Sequence, residues 1–357
     1  MTSSPGRGLL HLAAAVDRPD EPGGHDAGPY VELARLAERG GLDFVTLDDG
    51  LAGPGFDAPA VLSRVAPATR RVGLVPTLAV PAEPFQARAA IAALDRVSRG
   101  RAGWRIDVCA QEETRLPGRP VGEPDERCQE SGAVAEPAAR ARDGREDGAG
   151  TREVRGGRRA DRDTLHHVDF GGAAFTAKGP FEGPGSPQGG PVRVADATEG
   201  HGRALAARHA DVALVRAASP ALARAARDRL RSEAAGAGRD PYSLRVMASL
   251  LIDLGDGEHA ADPGHGGGGP RQTPQGPLYR GGPVDLADLI VSWRQEGAVD
   301  GFHLIPVEPR RDLERLVNGT VALLQHRGLF RTFYPGSTLR EHLGLARPAK
   351  RIAGGAA

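Results

Sequence analysis

With 357 residues, 46 basic and 46 acidic side chains and zero formal charge, the chain can bury a substantial core and carries no tail of one charge sign, which argues against a nucleic-acid partner. Its two cysteines, Cys109 and Cys128, have no CxxC or Cys/His spacing, so neither a disulfide framework nor a zinc site is expected and a reducing cytoplasm fits best. No apolar run approaches the roughly 20 residues of a membrane span, and no membrane association is expected. Along the chain, the apolar stretch GLLHLAAAV is broken by His11 and followed by DRPDEPGG where a signal peptide would have its cleavage site, so it is expected to be a buried strand. PYVELARLAERGG then places Val31, Leu33, Ala34, Leu36 and Ala37 on one helical face and stops at Gly40 and Gly41, after which LDFVTL has a strand pattern.

The same unit repeats: helix APAVLSRVAPATR, strand VGLVPTL, helix PFQARAAIAALDRVS, strand GWRIDV. After an interruption come strand PVRVA, helix GRALAARHA, strand DVALV, a long helix from about Pro220 to Ala235, strand LRVMASLLIDL, helix VDLADLIVSWRQEG and strand GFHLIP. Eight strands with helices between them predict one domain over residues 1–357, a closed parallel (β/α)8 TIM barrel whose chemistry gathers at the carboxyl ends of the strands. An open doubly wound sheet would normally show a glycine-rich turn after its first strand, and HLAAAVDRP has none. Two segments break the alternation: a polar insertion at 110–163 after the fourth strand, either a lid or disorder, and a loop-like stretch at 255–277. Residues 329–357 form a C-terminal extension.

Five phrases, LDFVTLDD, LDRVSRGRAGW, GSPQGGPVRVADATEGHGRALAARHADVALV, GAVDGFHLIP and LLQHRGLFRTFYPGSTLREHLGL, carry a likeness that spans Leu9 to Leu345. The chain resembles the bacterial-luciferase-like flavin monooxygenases, in the branch of the nitrilotriacetate, long-chain alkane and dibenzothiophene-sulfone monooxygenases. The resemblance implies a homodimer in which reduced FMN, delivered by a separate flavin reductase, reacts with O2 at the barrel mouth. A flavin C4a-hydroperoxide then oxygenates a small organic substrate, with the protein supplying binding, orientation and exclusion of water. It leaves the catalytic side chains unassigned.

The resemblance places Asp49 at the end of the second strand near the flavin, with Asp48 beside it; a loop carboxylate capping the next helix is the competing reading. Thr77 ends the third strand where hydroxyl groups hold the flavin, and its neighbours Ala79 and Val80 donate nothing. Cys109 stands near the flavin edge, as a small buried residue or a reactive thiol. In VRVADATEGHGR a strand enters a glycine turn and then a helix, whose N-terminal N–H groups can hold phosphate. The resemblance puts the flavin phosphate there, against Thr198, Glu199, Gly200 and Gly202, with Arg203 needed to offset Glu199 unless that carboxylate serves the helix terminus itself. Gly100 and Gly103 turn the chain into the fourth strand, a role that could be purely structural.

Pro124, Cys128, Arg142 and Arg145 replace a histidine, a tyrosine and a tryptophan pair of the family. Ala79, Val80, Pro124, Cys128 and Glu199, in place of expected flavin contacts, motivate one alternative, a barrel that has lost flavin chemistry and acts as a binding protein; a second, an oxidoreductase using the deazaflavin F420, is what some barrel relatives imply. His166, His167, His259 and His265 match no metal-ligand spacing, so no metal is expected. Tyr334, Arg340 and Glu341 belong to a segment expected to pack against the barrel or a partner subunit.

Overall fold

The computed structural model describes residues 10–17, 27–48, 57–79, 84–107, 168–171, 176–179, 186–198, 200–255 and 269–348. The insertion at 110–163 and residues 256–268 of the loop-like stretch lie outside them.

Eight parallel strands close on themselves: β1 (His11–Ala15), β2 (Phe44–Leu47), β3 (Gly73–Ala79), β4 (Gly103–Asp107), β7 (Val192–Asp196), β8 (Val212–Val215), β9 (Arg245–Asp253) and β12 (Gly301–Pro306). They run in that order, with β8 paired to β9, β9 to β12 and β12 to β1. These are the eight segments expected from the sequence, and the (β/α)8 barrel is correct. Between β4 and β7 a separate antiparallel hairpin joins β5 (Val168–Gly171) to β6 (Thr176–Gly179).

A second hairpin corrects the reading of 255–277 as loop throughout. Here β10 (Arg271–Thr273) pairs antiparallel with β11 (Gly276–Arg280), and β11 adds in parallel to the carboxyl end of β9. Burial of Gly276, Pro277 and Tyr279 against the barrel supplies what the polar local sequence lacks.

The outer layer follows the apolar faces. Helix α1 (Gly28–Arg39) buries Tyr30, Leu33, Ala34, Leu36 and Ala37, and ends where Gly41 takes φ +75°, a conformation that costs glycine nothing. The Asp57 side chain accepts the Ala60 N–H to start α2 (Ala58–Val65); α3 (Pro84–Val97) follows. Then come α4 (Gly200–His209) and α5 (Pro220–Gly236), the latter capped by Ser219, whose hydroxyl accepts the Leu222 N–H. Helix α6 (Pro283–Gln295) precedes β12, and α7 (Pro309–Arg315) and α8 (Ala322–His326) follow it. No helix among the described residues is long and apolar enough to cross a membrane.

Strand period sets the interior. Every second residue points inward, and Ala13, Phe44, Val75, Val192, Val194, Val212, Leu214 and Met247 form one buried cluster together with Leu339 and Leu343. Leu339 belongs to α9 (Leu339–His342), which plugs the amino-terminal end of the barrel. Inward positions there are glycine for lack of space: a Cβ on Gly73 would sit 2.6 Å from Leu339 Cδ1, and one on Gly103 would sit 2.9 Å from the Val192 carbonyl oxygen. Arg340 Nη2 reaches Asp211 Oδ2 at 3.0 Å, Tyr334 donates to the Leu42 carbonyl, and Glu341 closes a capping box with Thr338. The extension thus packs on its own barrel.

The turn into β4 belongs to the same end. Gly100 has φ +87°, and the buried Asp95 carboxylate accepts from Gln188 Nε2 at 2.6 Å, Ser186 Oγ at 2.5 Å and the Ala102 N–H at 3.3 Å. Arg101, also buried, donates to the carbonyls of Ala66, Thr69, Val72 and Ser98 and to Thr69 Oγ1. The motif is a structural clasp on the face opposite the carboxyl ends.

Candidate active site

At the carboxyl ends the inward positions change from apolar to polar. One step beyond Phe44, Met247 and Gly301 stand Thr46, Ser249 and His303, and one step beyond Val75, Gly103, Val194 and Leu214 stand Thr77, Arg105, Asp196 and Arg216. Asp48 follows Thr46 at the end of β2. The barrel therefore has an apolar base, a hydrogen-bonded floor and a charged rim.

The floor is built on His303, which is 1% exposed and stacks 15° from parallel over Phe44, ring centres 6.5 Å apart. Its Nε2 lies 2.8 Å from Thr46 Oγ1 and its Nδ1 3.1 Å from Ser249 Oγ, so both nitrogens have hydroxyl partners. Burial first, then the positive charges of Arg105 and Arg216, push its pKa down to about 3, and the imidazole is neutral near pH 7. A neutral ring donates through one nitrogen and accepts through the other, so the two hydroxyls have fixed and opposite roles.

On the rim, Arg105 Nη2 meets Asp48 Oδ2 at 2.9 Å, and Arg216 Nη2 meets Asp196 Oδ2 at 3.1 Å. Thr77 lies between Asp48 and Arg105 in strand order and is 1% exposed, yet its hydroxyl has no hydrogen-bond partner. A buried hydroxyl without a partner among the described residues is costly, and this one stands at the end of the barrel where chemistry gathers.

Of the residues expected to hold a cofactor, Thr77 is thus in the mouth. Thr198 stands at the edge, exposed, with its hydroxyl accepting the Arg216 N–H at 3.1 Å and its own N–H bound to Asp196 Oδ1 at 3.0 Å. Gly200, the first residue of α4, faces open space. Gly202 does not: a Cβ there would collide with the Asp196 carbonyl oxygen, so glycine is required for α4 to pack on β7. Asp49, Cys109 and Glu199 lie outside the described residues. Arg203, needed to offset Glu199, pairs with Glu233 of α5 at 3.0 Å. Sequence reasoning passed over His303, Ser249, Thr46 and Arg216, and took Arg105 only as the start of the stretch 105–109 that lies nearer the chemistry. The available signal was polarity at inward positions on strands that are otherwise apolar.

A parallel (β/α)8 barrel with a polar mouth at the strand ends defines a barrel enzyme. Residues 8–272 match the family model described as luciferase-like monooxygenase, and the chain belongs to that family of oxidoreductases. It is 29% identical to the N-acetyl-S-(2-succino)cysteine monooxygenase of Bacillus subtilis (strain 168), across 97% of this chain and 96% of that protein. It is 28% identical to component A of the nitrilotriacetate monooxygenase of Aminobacter aminovorans, across 91% of each. Among solved structures, a riboflavin lyase with modified FMN and riboflavin superposes with TM-score 0.81 at 21% identity, covering 94% of this chain and 96% of that one. The coenzyme F420-dependent tetrahydromethanopterin reductase of Methanopyrus kandleri shares the fold at TM-score 0.63 and 15% identity, covering 88% of this chain and 99% of that one.

Proposed function

We propose that the protein is a flavin-dependent monooxygenase that uses reduced FMN, supplied by a separate reductase, and O2 to oxygenate a small organic molecule. The observation that carries this reading is the buried, unpartnered Thr77 hydroxyl in the polar mouth of a barrel of this family. The residues present fit a flavin: Thr77 Oγ1 and Arg105 Nε are both buried and unpartnered, and both can donate to ring or ribityl oxygens. The open Gly200 end of α4 supplies N–H groups beside Arg216 for the phosphate. Asp49, Cys109, Thr198, Glu199 and Gly202 complete the assignment carried over from the sequence.

When bound, reduced FMN supplies the electrons and the activation of O2. The chain's own contribution is placement. His303 holds the Thr46 and Ser249 hydroxyls in fixed orientation at the floor, the Phe44 and Met247 layer beneath excludes water, and the rim arginines, held by Asp48 and Asp196, offer charged donors at the mouth.

Anaerobic titration with reduced FMN, oxidised FMN and F420, followed by fluorescence, tests the reading. Micromolar affinity for reduced FMN and peroxide release on admission of O2 are expected. Binding of F420 alone would replace the assignment with hydride transfer, and binding of neither would replace it with a binding protein.

A further inference from the structure

We infer that Arg105, seconded by Arg216, is a specificity-determining residue of the mouth that holds an anionic oxygen of the bound molecule, either a carboxylate of the substrate or the deprotonated ring of reduced flavin. The inference rests on the monooxygenase reading and names the chemistry its site selects. It begins with how arginines are used elsewhere in this protein. Arg101 donates to five acceptors, and Arg340 donates to the Gly190 carbonyl and to both carboxylate oxygens of Asp211. Both are saturated at the amino-terminal end of the barrel, where only structure is at stake.

Arg105 shares a buried, unpartnered Nε with Arg231 among the described residues, but its place is different. It lies on the inward face of β4, in register with Thr77 on β3 and Val194 on β7, and its side chain is 14% exposed. Its one ion-pair partner among the described residues is Asp48, reached through Nη2 across the end of β3, and its Nε is buried with no partner. A guanidinium has five N–H donors in a planar fork suited to two oxygens, and burying it with donors idle is expensive. Beside it, in strand order, stands the Thr77 hydroxyl, buried and equally idle. Two donors idle among the described residues, side by side at the carboxyl end of the barrel, suit an acceptor supplied by a bound molecule.

The sign of that acceptor follows from the donor. Arg105 and Arg216 are each paired with one carboxylate, Asp48 and Asp196, so the four rim groups sum to zero charge. A guanidinium offers only charged N–H donors, and the Nε left idle on Arg105 bonds most strongly to an anionic oxygen.

The test compares wild-type protein with Arg105→Gln, Arg105→Lys and Asp48→Asn. Each is first checked for an unchanged far-ultraviolet spectrum and then titrated anaerobically with oxidised FMN, reduced FMN, succinate and citrate. The two redox states of FMN share a phosphate, so their difference isolates the charge on the ring. Arg105→Gln is expected to weaken either reduced FMN or the carboxylates by about 10- to 100-fold, with oxidised FMN changed less than about threefold. Arg105→Lys keeps part of the affinity, and Asp48→Asn, which frees the guanidinium, tightens the same ligand. A loss confined to reduced FMN assigns the anion to the ring, and a loss confined to the carboxylates assigns it to the substrate. Equal loss for all ligands, no loss for any, or loss in both Arg105→Gln and Asp48→Asn would overturn the inference. A wild-type protein that binds neither form of FMN overturns the cofactor reading alone, and its carboxylate titrations still decide Arg105; one that binds none of the four overturns both.

Discussion

Arg340 and Asp211 form a buried ion pair, Nη2 to Oδ2 3.0 Å, that ties the last helix to the start of β8. Asp211 also holds Arg193, and although burial opposes its ionisation, the two guanidinia keep its carboxyl well below the usual range. Removing Arg340 leaves the Asp211 carboxylate with Arg193 alone, so Arg340→Ala is expected to cost about 1.5–3 kcal/mol, the worth of a charged hydrogen bond, in chemical denaturation. Because the folded pKa is depressed, this stabilisation is intact above the unfolded value near 4 and disappears as pH falls below it. A wild-type protein and an Arg340→Ala variant of equal stability at pH 7 would contradict the assignment.

His303 makes a prediction of opposite origin. Its folded pKa of about 3 lies below the ordinary 6.5, so between those values the unfolded chain binds a proton that the folded one refuses. Stability is therefore full above pH 6.5 and declines as pH falls towards 3, by a few kcal/mol. His303→Phe keeps the ring over Phe44 but cannot titrate, and its melting temperature should fall less between pH 7 and pH 5 than that of wild type. Parallel declines would show that another group is responsible.

Thr77→Val separates stability from function. The valine replaces a buried hydroxyl that has no partner with a methyl of the same shape, so stability should hold or rise by up to about 1 kcal/mol. Affinity for FMN should fall about tenfold for the loss of one hydrogen bond. A variant that is both less stable and equally competent in binding would make Thr77 an ordinary core residue.

The glycines at the start of α4 are separable in the same way. Gly202→Ala forces a methyl onto the Asp196 carbonyl and should cost more than about 2 kcal/mol by strain. Gly200→Ala meets nothing within 4 Å and should change stability by less than about 1 kcal/mol. If phosphate uses this helix terminus, Gly200→Ala loses FMN affinity while remaining stable, which calorimetry and thermal melting together can resolve.

Much of this molecule is legible from periodicity. All eight barrel strands fall where apolar runs place them, and α5 occupies Pro220–Gly236 against an expected Pro220 to Ala235, because Ser219 and Pro220 mark its start unambiguously. The strand pair at Arg271–Arg280 was not legible, since the three polar residues Arg271–Thr273 become a strand only when β11, itself laid on the edge of β9, offers them a partner. Within the site, Thr77 follows from its place at a strand end. Arg105 falls in the stretch 105–109 that the sequence puts nearer the chemistry; His303 does not follow, because a strand buried on both faces has no amphipathic alternation, and only closure of the barrel decides which of its side chains share the lumen. Arg203 shows the converse limit, its partner Glu233 being chosen by the packing of α4 on α5.

The plug at the amino-terminal end has a consequence for how the chain is made. Leu339 fills the lumen between Gly73 and Gly103, Arg340 bonds to groups 129 to 152 positions earlier, and Arg71 donates to the Gly336 carbonyl 265 positions away. All of these contacts join distant parts of the chain, so one opening of the barrel stays uncorked until residues 336–343 dock on strands that are already aligned. Truncation before Thr338 should therefore yield a collapsed, protease-sensitive intermediate rather than a slightly shorter native protein.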